Sequence, residues 1–80
     1  MLYAKFMYPD YGWDSDVEYA KKVGLKVGER YAVEYVSMGQ SYTSIYLEDF
    51  EGSFNSVQFE FDEDGEPIDI YRSPEYNPYY

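Results

Sequence analysis

Carboxylates are the plentiful ionisable groups of this 80-residue chain, with 16 Asp and Glu against 6 Lys and Arg, and with no His and no Cys. Two acidic clusters have the residue types for chemistry. Asp62, Glu63, Asp64 and Glu66 offer the oxygen ligands a hard cation takes, but a calcium-binding hand spreads its ligands over about twelve residues with glycine at the sixth. Gly65 is misplaced for that pattern, and the run reads as a solvated turn. Asp10, Asp14, Asp16 and Glu18 flank Tyr11 and Trp13 and contain the pair of carboxylates that glycoside hydrolysis needs. Helix capping and surface charge account for them more simply, and nothing in their spacing beyond abundance points to catalysis. Ser37, Ser41, Thr43, Ser53 and Ser56 have no His beside them, so a hydroxyl nucleophile would lack its base. The missing Cys and His also exclude a disulfide framework, a thiolate nucleophile and a zinc site of the usual kind. The expectation is a protein that is not an enzyme, with no metal and no cofactor.

Aromatic residues are the other abundant chemistry, at 22% of the chain: 12 Tyr, 5 Phe and 1 Trp. Tyr8, Tyr11 and Trp13 fall in one early loop, and Tyr42 and Tyr46 alternate with Thr43, Ile45 and Leu47 along a strand pattern. One face of such a strand is buried, so some of these tyrosines are exposed. Exposed Tyr and Trp bring large contact area at modest entropic cost and are enriched where proteins bind. The expected partner-binding patch is therefore Tyr8, Tyr11, Trp13, Tyr42 and Tyr46, rimmed by Asp14, Asp16 and Glu48. A net charge of −10 repels nucleic acid and anionic membranes and favours a protein partner with a basic surface. The same charge supports a second function, an acidic DNA mimic that occupies the basic groove of a nucleic-acid-binding enzyme. The N-terminus has no long apolar region followed by a cleavage site, and no run approaches the roughly 20 apolar residues of a membrane span, so a cytoplasmic location is expected.

The elements that must position these residues follow from periodicity and turn chemistry. Leu2 to Tyr8 is rich in β-formers and stops at Pro9-Asp10-Tyr11-Gly12, giving a first strand. Asp14-Ser15-Asp16 offers capping oxygens, Val17, Ala20 and Val23 recur at helical spacing, Lys21 and Lys22 sit in the last turn and Gly24 follows, giving about two turns of helix. Tyr31, Val33 and Tyr35 share a face of a second strand, and Tyr42 to Glu48 forms a hairpin with it. Phe54 to Phe61 reads as one strand with Val57, Phe59 and Phe61 inward and Gln58 and Glu60 outward. Asp64-Gly65 is a hairpin signal, and Pro67 to Tyr71 returns as a last strand that Pro67 confines to a sheet edge. That edge leaves room for pairing with a second copy of the chain. Residues 1–71 make one domain, and 72–80 form a Tyr/Pro-rich tail whose prolines forbid a regular ladder, so that it is either ordered by laying its tyrosines on the barrel or loose. Its Asn77-Pro78-Tyr79-Tyr80 matches a phosphotyrosine-domain ligand only superficially and reads as chance.

Leu25-Lys26-Val27-Gly28-Glu29-Arg30-Tyr31-Ala32-Val33 resembles the Leu-x-Val-Gly-x-x-Tyr-x-Val pattern of small SH3-like proteins common in Firmicutes and their phages. The resemblance spans residues 2–71. It implies a mainly β fold, a small five-stranded SH3-like barrel with a short helix or helical turn in the first long loop, and peptide or protein binding as a class. It also implies packing roles for Val27, Tyr31 and Val33. Phe54-Asn55-Ser56-Val57 and the Tyr/Pro tail stand where such proteins carry a 3₁₀ step before their last strand, and are expected to depart from it.

Overall fold

Leu2–Phe6 forms β1, the strand around which the rest is arranged. Leu2, Ala4 and Phe6 are buried while Lys5 faces solvent, and the small Ala4 lies opposite the ring-bearing Phe61. In a computed structural model describing residues 1–80, β1 pairs antiparallel with β2 (Arg30–Met38) on one side and with β5 (Phe59–Glu63) on the other. The remaining strands are β3 (Thr43–Leu47), β4 (Phe54–Asn55) and β6 (Glu66–Ile68), in the order β4-β3-β2-β1-β5-β6. All pairings are antiparallel, and β4 and β6 remain as unjoined edges. The sheet is therefore six-stranded and open, where a closed five-stranded barrel was expected.

The extra strand comes from the segment whose alternation looked most regular. Phe54 and Asn55 pair with β3, whereas Phe59 onward pairs with β1, so the chain crosses the sheet between them. Ser56–Gln58 makes that crossing as a 3₁₀ turn, started by the Asn55 side chain, whose Oδ1 accepts the Val57 N–H at 3.2 Å. The turn reverses the expected faces: Val57 is 43% exposed and Gln58 is fully buried. It also supplies the 3₁₀ step that the sequence was expected to lack.

Two further differences have local causes. Val33 lies opposite Leu47 but Tyr35 lies opposite Tyr46, so Glu34 is an extra residue in β2 and a bulge turns Tyr35 outward, away from the buried Val33. Val27, expected to pack, is exposed in the turn before β2. The Asp-Gly signal holds: Asp64 and Gly65 have φ of 50° and 98°, the pair of positive values that a tight two-residue hairpin needs, and Glu63 faces Glu66 across it. Pro67 sits on the edge strand β6, which ends at Ile68. Ile70 reaches the core from a second 3₁₀ turn, Ile70–Arg72.

Helix α1 (Asp14–Val23) covers the sheet through Ala20, which is buried, and Tyr19, whose ring lies 5.3 Å from that of Phe54. It ends where expected, the Gly24 N–H donating to the Ala20 and Lys21 carbonyls. Phe54 also meets Phe50 and Phe59 edge-on, so one ring joins helix, turn and both halves of the sheet. Each such fully buried side chain is worth about 1.5–3 kcal/mol. Residues beyond Arg72 are fastened by the Tyr76 hydroxyl, which donates to Glu63 Oε2 at 2.5 Å, and by the Tyr76 and Asn77 N–H groups bonding to the Ser73 carbonyl. No helix is long and apolar enough to cross a membrane.

Candidate binding cleft

The sequence places Asp14-Ser15-Asp16 as capping residues, but Trp13 occupies the N-cap and the three follow it in the first turn. Asp16 caps the helix from its third position and does more besides. Its Oδ2 accepts the Trp13 backbone N–H at 2.8 Å and Asn55 Nδ2 at 3.0 Å, and its Oδ1 accepts the Tyr42 hydroxyl at 3.3 Å. One carboxylate thus ties the first loop and α1 to the start of β3 and to β4. Gly12 is required beside it: its φ is +89°, and a Cβ there would lie 2.8 Å from Asp16 Oδ2. Burial raises the Tyr42 phenol above its ordinary pKa and the negative charge of Asp16 adds to this, so Tyr42 stays a donor.

This fastening holds Trp13 flat against Tyr42, with ring centroids 5.0 Å apart and planes within 13°. Trp13 nevertheless remains 63% exposed. The stacked pair borders a cleft of about 860 Å³, whose other walls come from the β2–β3 turn (Met38 to Thr43), from Asn55, Ser56 and Val57, and from Tyr71, Asn77 and Tyr79. None of its lining residues is Asp, Glu, Lys or Arg. In a chain where 28% of residues are charged, this is a neutral, aromatic and amide-lined recess.

The expected patch is divided. Trp13 and Tyr42 border the cleft, and Asp16 braces them from below. Tyr8 and Tyr11 form their own stack, 4.8 Å apart, and are not among the cleft's lining residues. The Tyr8 hydroxyl donates to Glu60 Oε2 at 2.5 Å, and that bond raises its pKa. Tyr46 pairs with Tyr35 on the outer side of β2 and β3, at 5.8 Å. Asp14 and Glu48 are exposed and make no ion pair.

The tail contributes residues outside the expected patch, among them Asn77 and Tyr79 of the motif set aside as chance. Asn77 organises them: Nδ2 donates to the Tyr71 carbonyl at 2.6 Å and Oδ1 accepts the Tyr79 N–H at 2.9 Å, while the Tyr71 and Ser56 hydroxyls are 2.5 Å apart. The available signal was Asn77-Pro78, a turn-forming pair set between tyrosines.

The second acidic cluster is consumed by structure. Asp62 accepts Arg30 Nε at 2.9 Å and Nη2 at 2.5 Å and also the Gly65 N–H at 2.8 Å, and the Arg30 bond holds its carboxyl below the ordinary carboxylate range. The Arg30 guanidinium lies 3.8 Å over the Tyr3 ring, a cation–π contact closed within the protein. No group of three or more carboxylates is placed to hold a metal ion.

A family model described as Bacteriophage T4 protein Y07B matches residues 1–80. No curated protein and no solved structure matches the chain. The chain belongs to the Y07B family, which agrees with the phage part of the resemblance drawn from the sequence.

Proposed function

We propose that this member of the Y07B phage family is a non-enzymatic protein-binding module that engages its partner through the Trp13–Tyr42 cleft. The carrying observation is that a −10 protein leaves its one Trp exposed, stacked on Tyr42 and at the border of a recess without charge. Aromatic faces that are already ordered lose little entropy on binding, and desolvating a neutral recess costs far less than desolvating carboxylates. The acidic coat outside the recess favours a partner with a basic surface and speeds its approach. An SH3-like affiliation is supported by the order β4-β3-β2-β1-β5, the long first loop and the 3₁₀ step before β5.

The test is a pull-down from host-cell lysate with the wild-type protein and Trp13→Ala, at low and at high salt. The proposal expects a protein retained at both salt concentrations and missing from the Trp13→Ala eluate. Capture that collapses at high salt, is competed by duplex DNA and survives Trp13→Ala would instead establish the DNA-mimic function.

A further inference from the structure

The protein already contains one cation–π contact, and the cleft offers the same chemistry unfilled. Arg30 covers the Tyr3 ring from within, whereas Trp13, the strongest cation–π acceptor among the side chains, is stacked by Tyr42 and is otherwise 63% exposed. No Lys or Arg of the chain lines the cleft, so no internal cation fills it, and no carboxylate lines it to hold a cation away from the rings. Outside it, Asp10, Asp14 and Glu75 are exposed, make no ion pair and stand within two residues of Gly12, Trp13 and Asn77. The long-range field therefore draws cations toward a site whose local surfaces are aromatic.

Resting on the protein-binding reading, we propose that the cleft takes an arginine side chain of the partner polypeptide, and that the C-terminal residues Tyr71 and Tyr79, positioned by Asn77, are part of that site. A guanidinium is planar and weakly hydrated, so it stacks on aromatic faces at a smaller desolvation cost than an ammonium. Tyr79 lines the cleft, is 61% exposed and makes no side-chain hydrogen bond within the protein, so its ring is free to meet a ligand. Asn77 holds the Tyr79 N–H with its Oδ1 and is itself tied to the Tyr71 carbonyl through Nδ2. The last residues thus belong to the binding surface as much as the first loop does.

The test is selection of a displayed random-peptide library on the full 80-residue chain. Affinities of the enriched peptides are then read by fluorescence anisotropy. The expected peptides share an Arg, and replacing that Arg by the neutral citrulline weakens binding about tenfold, the scale of a desolvated cation–π contact. Tyr79→Ala and Trp13→Ala each weaken it about fivefold or more, with unfolding curves confirming that both variants fold. Peptides that lose binding on Trp13→Ala but tolerate citrulline, or are indifferent to Tyr79→Ala, would overturn this inference and leave the protein-binding reading standing. Enriched peptides bound equally by Trp13→Ala, or no enrichment at all, would overturn both.

Discussion

The Arg30 region and the Trp13 cleft are built from the same materials, an aromatic ring and an aspartate, and they end in opposite states. At Arg30 every partner is internal: Asp62 is bound by the guanidinium and by the Gly65 N–H, and the guanidinium covers Tyr3. At the cleft the aspartate is turned inward and the ring outward. The half-buried Asp16 satisfies three donors of the protein itself, and the Trp13 face it holds in place is left for something else to cover. An acidic, tyrosine-rich composition therefore contains both self-completed and open sites, and only the hydrogen-bond partners separate them.

The sharpest way to break the comparison is to remove the brace. Asp16→Ala strands the Asn55 amide and the Trp13 N–H, and is expected to lower stability by about 2–3 kcal/mol. Urea unfolding measures that loss, and near-UV circular dichroism should show the Trp13–Tyr42 stack dissolving with it. An unchanged near-UV spectrum would mean that the rings are held by packing alone.

Tyr76→Phe deletes the bond to Glu63 that fastens the tail and should cost about 0.5–1.5 kcal/mol. It also carries a pH signature. Burial and the neighbouring Glu63 raise the Tyr76 phenol above its ordinary value of 10.0. Its contribution is full below that value and fades as pH rises through the raised one. Alkaline unfolding of the wild-type protein should therefore contain a component that Tyr76→Phe lacks.

The smallest expected effect falls on the opposite limb. Arg30 depresses the Asp62 carboxyl below its ordinary 3.8. That pairing stabilises the fold fully above 3.8 and is lost as pH falls through the depressed value. Arg30→Met should flatten this acid limb while leaving stability near neutrality little changed, because the pair is partly solvent-exposed. Acid titrations followed by circular dichroism compare the two slopes.

Periodicity and turn chemistry carried much of this fold. The alternation of Thr43, Ile45 and Leu47, the stop at Gly24 and the Asp64-Gly65 turn are local features, and each stands where sequence reasoning puts it. Phe54 to Phe61 was illegible for a physical reason. A 3₁₀ turn of three residues interrupts an alternating pattern without erasing it, and its trigger, Asn55 accepting the Val57 N–H, resembles any polar residue in a strand. Asp16 shows the same limit at the site. A carboxylate in a first helical turn reads as a cap, and its bonds to Tyr42 and Asn55 span 26 and 39 residues. Tyr79 and Asn77 could not be placed at all without the anchor that Tyr76 finds on Glu63.

Whether the Trp13 cleft is the binding surface is decided by the affinity of a cleft-selected peptide for Trp13→Ala and for Arg30→Met, each against the wild-type chain. About a tenfold loss is expected at Trp13, the worth of one good aromatic contact, and no change at Arg30. Loss at Arg30 with binding intact at Trp13 would contradict this assignment, and would move the binding surface to the recess beside Arg30 and Asp62.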